Sequence, residues 1–470
     1  MFGFGKRRPP QNPSSVRTGS PIYLGNYLDL AKRKAGQELT YTGERHLLLF
    51  GPNGSGKGTR LLVNNLLRLR DRSVVVIDPK GELTAITARY RRTIGDVVVL
   101  NPFNVLDIES AGFNPLASLD PDVKTFVDDA TGVGEALIKI EDKDPHWSES
   151  AQSLLVAIIM WEVQTAKRNN RRPLLENVRY LLTQPDEYQR DPTTGKSKLV
   201  RGLRITASRM AAAGGYEIES LVGRFTRGND EVASIQSTAD RQTAWMLSPL
   251  MRANMDRHDI DFATLKQKPV TVYLILPAER MRTHSVWLRL LIVSALRSLY
   301  SAGGLPTLFM LDEFAQLGHL GPIEDAFALV RGYGVQIWPV LQDLNQLKAL
   351  YKDRWETFVG NAGIVQGFAP NDLTTAEWMS RRAGDTTVTA AGYNMGDSAS
   401  MAGQGTTSSG LTYGQVKRPL FLPQELMDFP AGAGLLWPAG SSKSVAFHAP
   451  SYWEVPELRS RAQPNPYHSP

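Results

Sequence analysis

The stretch "LLLFGPNGSGKGTRLLVNNLL" (47–67) decides the fold. Four apolar residues read as a short buried strand, and an amphipathic run from Thr59 reads as a helix. Between them lies Gly51-Pro52-Asn53-Gly54-Ser55-Gly56-Lys57, a G-x-x-x-x-G-K loop in strand–loop–helix context. The glycines let the backbone curl so that its N–H groups converge on phosphate oxygens, and the helix N-terminus adds a favourable dipole. Lys57 brings positive charge toward the β- and γ-phosphates. Loop residues Gly51 to Thr59 are therefore the candidate ATP site. Gly58 stands where such loops usually carry a Ser or Thr for magnesium. Thr59 follows it, but about 100° further round a helix, so it is not expected to take the same metal position.

Working outward, short apolar runs rich in β-branched residues recur at "HLLLF" (46–50), "SVVVID" (73–78), "DVVVL" (96–100), "VTVYLIL" (270–276), "TLFMLDE" (307–313), "VQIWPVL" (335–341) and "GIVQGF" (363–368). Their apolar character is continuous rather than alternating, which suits strands of a parallel sheet buried on both faces. Helical stretches such as 59–70 and 284–300 lie between several of them. The alternation predicts an α/β fold with a mostly parallel, doubly wound sheet.

From about 120 to 235 helical periods replace the strands, for example in "WSESAQSLLVAIIMWEVQTAKR" (147–168). An all-alpha segment inserted at 120–235 is expected, dividing a nucleotide-binding domain into 21–119 and 236–460. The Gly/Ser/Thr-rich stretch 390–415 is expected to be a flexible loop, and 1–20 and 461–470 to be tails.

The chain has 470 residues, 42% of them hydrophobic and 21% charged, as in a soluble globular protein. It has no cysteine, which excludes disulfides and thiolate chemistry and suits the cytoplasm. A net charge of +6 is compatible with nucleic acid or anionic lipid but does not demand either. The most apolar run, "LLVAIIMW" (154–161), is too short to span a bilayer. The basic N-terminus lacks an apolar stretch behind it and is no secretory signal.

A phosphate loop that hydrolyses needs an acidic partner. "TLFMLDEFAQL" offers Asp312 for the magnesium shell and Glu313 as general base toward water. That pair argues against a small-molecule kinase, in which a substrate hydroxyl attacks. "VVVIDPKGEL" ends a strand at Asp78 and, taken alone, reads as a plain turn.

Taken together, "GPNGSGKG" (51–58), "IDPKGEL" (77–83), "NPFNVLD" (101–107), "FNPL" (113–116), "HWSESAQSLL" (146–155), "LDEFAQLG" (311–318), "LQDLNQL" (341–347) and "RPLFLPQEL" (418–426) resemble the TraG-like coupling ATPases of type IV secretion and conjugation. The resemblance spans nearly the whole chain. It implies a RecA-like domain related to the FtsK and HerA DNA pumps, with an inserted all-alpha domain, ATP and Mg2+ as ligands, and a homo-hexamer; without membrane helices to aid assembly, the isolated chain is expected to be a monomer. It implies that DNA–relaxase complexes or effector proteins are brought to the channel, its ATPases and its inner-membrane components. By position, Gln342 matches the polar sensor of the γ-phosphate. Arg331 matches an arginine donated to a neighbour's nucleotide, with Arg381 and Arg382 in reserve. Members usually begin with transmembrane helices, which this chain lacks, so a soluble branch is expected, cytoplasmic and docked on the inner membrane through partners. A nucleotide-dependent adaptor that does not pump, or a chromosome-handling pump, would be the alternatives.

Overall fold

A computed structural model describes residues 19–467 apart from 33, 142–143, 191–192, 194, 228–229, 301–302, 330–331 and 400–404. Strands β1 (Ile22–Asp29), β2 (Lys34–Tyr41), β3 (Leu47–Phe50), β4 (Ser73–Ile77) and β5 (Asp96–Leu100) come first in the chain. A short hairpin, β6 (Glu187–Arg190) and β7 (Ser197–Val200), follows. Then come β8 (Val270–Leu274), β9 (Thr307–Leu311), β10 (Val335–Leu341), β11 (Ile364–Phe368), β12 (Asp385–Ala399), β13 (Gly405–Pro419), β14 (Ala433–Pro438) and β15 (Val445–His448).

Eleven of these strands form one sheet, in the order β2-β1-β15-β14-β11-β3-β10-β9-β4-β8-β5. The run from β11 to β5 is parallel throughout. Its members are the seven apolar runs read from the sequence. Successive residues of β3 explain the lack of alternation. Leu48 and Phe50 join a core on one face of the sheet, while Leu47 and Leu49 join a second core on the other. Both faces are dry, so every position is apolar. The remaining four strands pair antiparallel beyond β11.

One face carries the helix that follows the phosphate loop. Its first turns, Lys57–Leu62, are π-wound, and it continues as Val63–Leu66. The opposite core contains residues of the helices that occupy the connection from β5 to β8, among them Phe126–Leu137 and Pro145–Arg168. Three expectations are corrected here. The helical segment is not purely helical, because β6 and β7 pair within it, and helix Asp230–Thr243 crosses the expected boundary at 235. Residues 390–399 and 405–415 are strands rather than loop: β12 and β13 pair in register from Asp385↔Pro419 to Ala399↔Gly405. The C-terminal segment is not free, since Gln463 N–H donates to the Ile86 carbonyl and Tyr467 Oη to that of Lys80. Among the described residues no helix is long and apolar enough to cross a membrane.

Candidate functional site

Parallel strands end on a common edge, and ligands of open α/β sheets bind outside those carboxyl ends. Here β10 lies between β3 and β9, with β4 next beyond β9. The loop after β3, Gln342 after β10, Asp312 and Glu313 after β9 and Asp78 after β4 are thereby brought to one place. They line a single cleft of about 520 Å³.

The loop is built for close approach. Gly54 and Gly56 sit at φ +81° and +86°, the left-handed region where only glycine is unstrained. A Cβ on Gly56 would lie 2.6 Å from Cδ of Arg60. Asn53 is exposed at the tip, and Ser55 N–H donates to the Pro52 carbonyl. The Ser55 hydroxyl is buried with no hydrogen-bond partner among the described residues. Lys57 is buried, and its Nζ donates to the carbonyls of Gly51 at 2.5 Å and Pro52 at 3.2 Å. Burial lowers its pKa, against the pull of Asp312 and Glu313. Thr59 Oγ1 turns back to the Gly56 carbonyl at 3.5 Å.

The acidic side carries excess charge. Burial, with repulsion from Glu313, raises the Asp312 carboxyl to about 7, although Lys57 opposes the shift. Burial also raises Asp78, to about 6, while the Thr84 N–H and Oγ1 both donate to its Oδ2 at 2.7 Å. Glu313 has φ +49°, uncommon for a side chain with a Cβ and a mark of strain held by its surroundings. Gln342 Nε2 donates to Glu313 Oε2 at 3.2 Å, and Glu313 N–H donates to Asp312 Oδ1 at 3.0 Å.

The other expectations divide. Arg331 lies outside the described residues. Arg381 is exposed, whereas the Arg382 guanidinium sits over Trp378 and Trp437 at 5.2 and 5.7 Å. Sequence reasoning missed Gln316 and Trp453, which also line the cleft. Gln316 stands three residues after Glu313 in a stretch already singled out. Trp453 carries no local signal, because it reaches the cleft from the far end of the chain.

A family model described as type IV secretory system conjugative DNA transfer matches residues 6–469. The chain belongs to that family. It is 28% identical over 477 residues to a conjugal transfer protein TraG of Escherichia coli, covering 95% of this chain and 72% of the relative. It is also 28% identical over 392 residues to a VirD4 protein of Rhizobium rhizogenes, covering 81% and 54%. The unbound bacterial conjugative coupling protein TrwBdeltaN70 superimposes with a TM-score of 0.65 at 16% identity, covering 93% of this chain and 95% of that one. TrwB bound to ADP and Mg2+ superimposes with a TM-score of 0.64 at 16% identity, covering 94% and 97%. The fold of this family member is thus that of TrwB.

Proposed function

We propose that the chain is an ATP-hydrolysing coupling protein of a type IV secretion or conjugation system. The observation that carries this reading is the convergence of Lys57, Asp312, Glu313 and Gln342 in the cleft at the sheet's carboxyl edge. The TrwB structures with an ATP analogue and with ADP and Mg2+ support the choice of ligands.

The loop glycines and the partnerless Ser55 hydroxyl fit a triphosphate, with Lys57 exchanging the Gly51 and Pro52 carbonyls for phosphate oxygens. Asp312, whose carboxyl is raised to about 7 by burial and then by Glu313, would hold a magnesium ion as its carboxylate, and the metal would neutralise phosphate charge. Among the described residues no group of three acids or histidines is placed to hold a metal without help, so the phosphates and water would supply most of the shell. Gly58 contributes no hydroxyl to it. Glu313 accepts the proton of the attacking water, and Gln342 fixes the orientation of that carboxylate. The charge developing on the γ-phosphate calls for a further cation, and Arg331 of a neighbouring subunit in a homo-hexamer is assigned that role. The cargo is DNA bearing a relaxase, or an effector protein. The ring works at the cytoplasmic face of the inner membrane, docked on membrane components and channel ATPases.

The reading is tested on two variants. Lys57→Ala should weaken ATP binding in equilibrium titration. Glu313→Gln should bind ATP like the parent yet lose turnover by two orders of magnitude or more, about the worth of a general base. Hydrolysis by Glu313→Gln at the parent rate would remove Glu313 from that role.

A further inference from the structure

Basic residues at 166–172 and beyond are obvious candidates for binding nucleic acid, and the structure consumes several of them. Lys167 Nζ pairs with Asp120 and Asp122, each at 2.6 Å. Arg171 is held by both oxygens of the buried Glu162, at 2.5 and 2.7 Å. Arg168 lies over Trp161.

A different place leaves two arginines available, although the Lys139 ammonium there donates to Ser285 Oγ at 2.8 Å. Helix Ala278–Ser298 begins beside the ATP cleft, which Ala278 and Met281 line. The alternate residues of that turn, Arg280 and Arg282, face a second cavity of about 740 Å³, together with Lys139 and Arg241. Glu141 is the one carboxylate on its wall, and Arg241 already occupies it at 2.6 Å. Arg280 and Arg282 are exposed, and neither side chain makes a hydrogen bond or ion pair with the described residues. The Phe103 ring lies 5.8 Å from the Arg280 guanidinium. The wall is rigid: Lys139 and Gln242 exchange bonds of 2.6 and 2.9 Å. Burial, and then Arg289, depress Lys139 to about 8. Trp245, only 6% exposed, also lines the cavity, and its indole Nε1 has no acceptor among the described residues. A wall with four cations and one carboxylate, itself already paired, fits an anion.

We infer that this cavity binds the phosphodiester backbone of single-stranded nucleic acid and that the first turn of helix Ala278–Ser298 links it to the ATP cleft. Single-stranded binders combine such a basic groove with little sequence preference. Arginine forks match phosphate geometry. Nucleic acid rather than an acidic peptide is the occupant that the conjugative DNA transfer family favours. The link is mechanical. Arg289 in the same helix donates to the carbonyls of Ala136 and Leu317, both at 3.1 Å, and so ties the helix to the insert and to the turn that follows Glu313.

The linkage rests on the proposed ATPase, but the site does not, so binding is measured first, without nucleotide. Fluorescence anisotropy of the full chain is followed with a labelled oligothymidylate and with labelled poly-glutamate, at several salt concentrations. Arg280→Glu/Arg282→Glu should weaken oligothymidylate binding at least tenfold, and the log–log salt slope should fall by about 0.7 for each phosphate that the variant no longer neutralises. The paired lysine variant should restore most of the affinity. An equal charge reversal at exposed Lys124 and Arg172 should change it less than threefold. Equal weakening in the two reversals, no weakening in the first, or a response confined to poly-glutamate would overturn the site. With the site upheld, Arg280→Glu/Arg282→Glu should keep basal ATP turnover and lose its stimulation by the oligonucleotide. Retained stimulation would overturn the linkage, and absence of any turnover in the parent would overturn the ATPase reading alone.

Discussion

Gly58 leaves room for a side chain. A Cβ there would meet only Leu83 Cδ2, at 4.0 Å, and the residue is not among those with positive φ. The loop therefore tolerates the Ser that most phosphate loops carry for magnesium. Gly58→Ser should fold normally and lower the Mg2+ concentration for half-maximal ATP turnover several-fold. Gly56→Ser should instead abolish nucleotide binding, because a left-handed φ costs an L-residue about 1–2 kcal/mol before the clash with Arg60 is counted. A magnesium titration of both variants checks this. Asp78 makes a second prediction. Its folded pKa, about 6, lies above that of an unfolded aspartate, near 3.9. Between those values the unfolded chain has released a proton that the folded chain keeps, so this group's contribution to stability falls as pH rises from about 4 to 6. Asp78→Asn keeps an oxygen for the Thr84 N–H and should flatten that part of a melting-temperature profile of the nucleotide-free protein. An unchanged slope would exclude Asp78 as its source.

The elements that frame the cleft come from distant parts of the chain. Arg60, on the helix after the phosphate loop, donates to the Ala449 carbonyl at 2.7 Å and approaches Glu454 at 3.6 Å. Asn64 of the same helix donates to the Pro450 carbonyl at 3.3 Å. These bonds seat the turn Tyr452–Glu454, and with it Trp453, against the cleft. Glu454 is half exposed, so its ion pair adds little. The hydrogen bond to Ala449 carries most of the effect. Arg60→Ala should cost about 1–3 kcal/mol, the penalty of leaving a buried acceptor unpaired. It should also weaken ATP binding as Trp453 loosens. Denaturant unfolding with a parallel nucleotide titration measures both; an unfolding midpoint equal to the parent's would show that the turn is held by other bonds.

At the scale of the whole molecule, the cleft is lined by two lysines, Lys57 and Lys80, and four carboxylates, Asp78, Glu82, Asp312 and Glu313, an imbalance that the proposed neighbour's arginine would reduce. Turnover should then rise steeply with protein concentration. Arg331→Ala and Glu313→Gln should each be inactive, yet a mixture should recover part of the activity, since some interfaces of a mixed ring join an intact Glu313 to an intact Arg331. No recovery in rings shown by native mass spectrometry to be mixed would remove Arg331 from that role.

Local information carried the seven parallel strands, the phosphate loop and the acidic pair. A strand buried on both faces is apolar at most positions, and a loop that curls around phosphate must place glycines where φ is positive, so each leaves its mark within a few residues. The antiparallel half of the sheet left no such mark. β2, "KAGQELTY", is mostly exposed and polar, and is a strand because β1 offers it hydrogen bonds. β1 in turn pairs with β15, some 420 residues away in sequence. The stretch 390–415 reads as a loop by its glycines and serines, yet its described residues, 390–399 and 405–415, are paired strands. The placement of Trp453 at the cleft, and the difference between cations consumed by Glu162, Asp120 and Asp122 and those left available in the cavity, were likewise decided by tertiary structure. Charge and aromaticity are properties of residues, but availability depends on which residues the fold sets beside them.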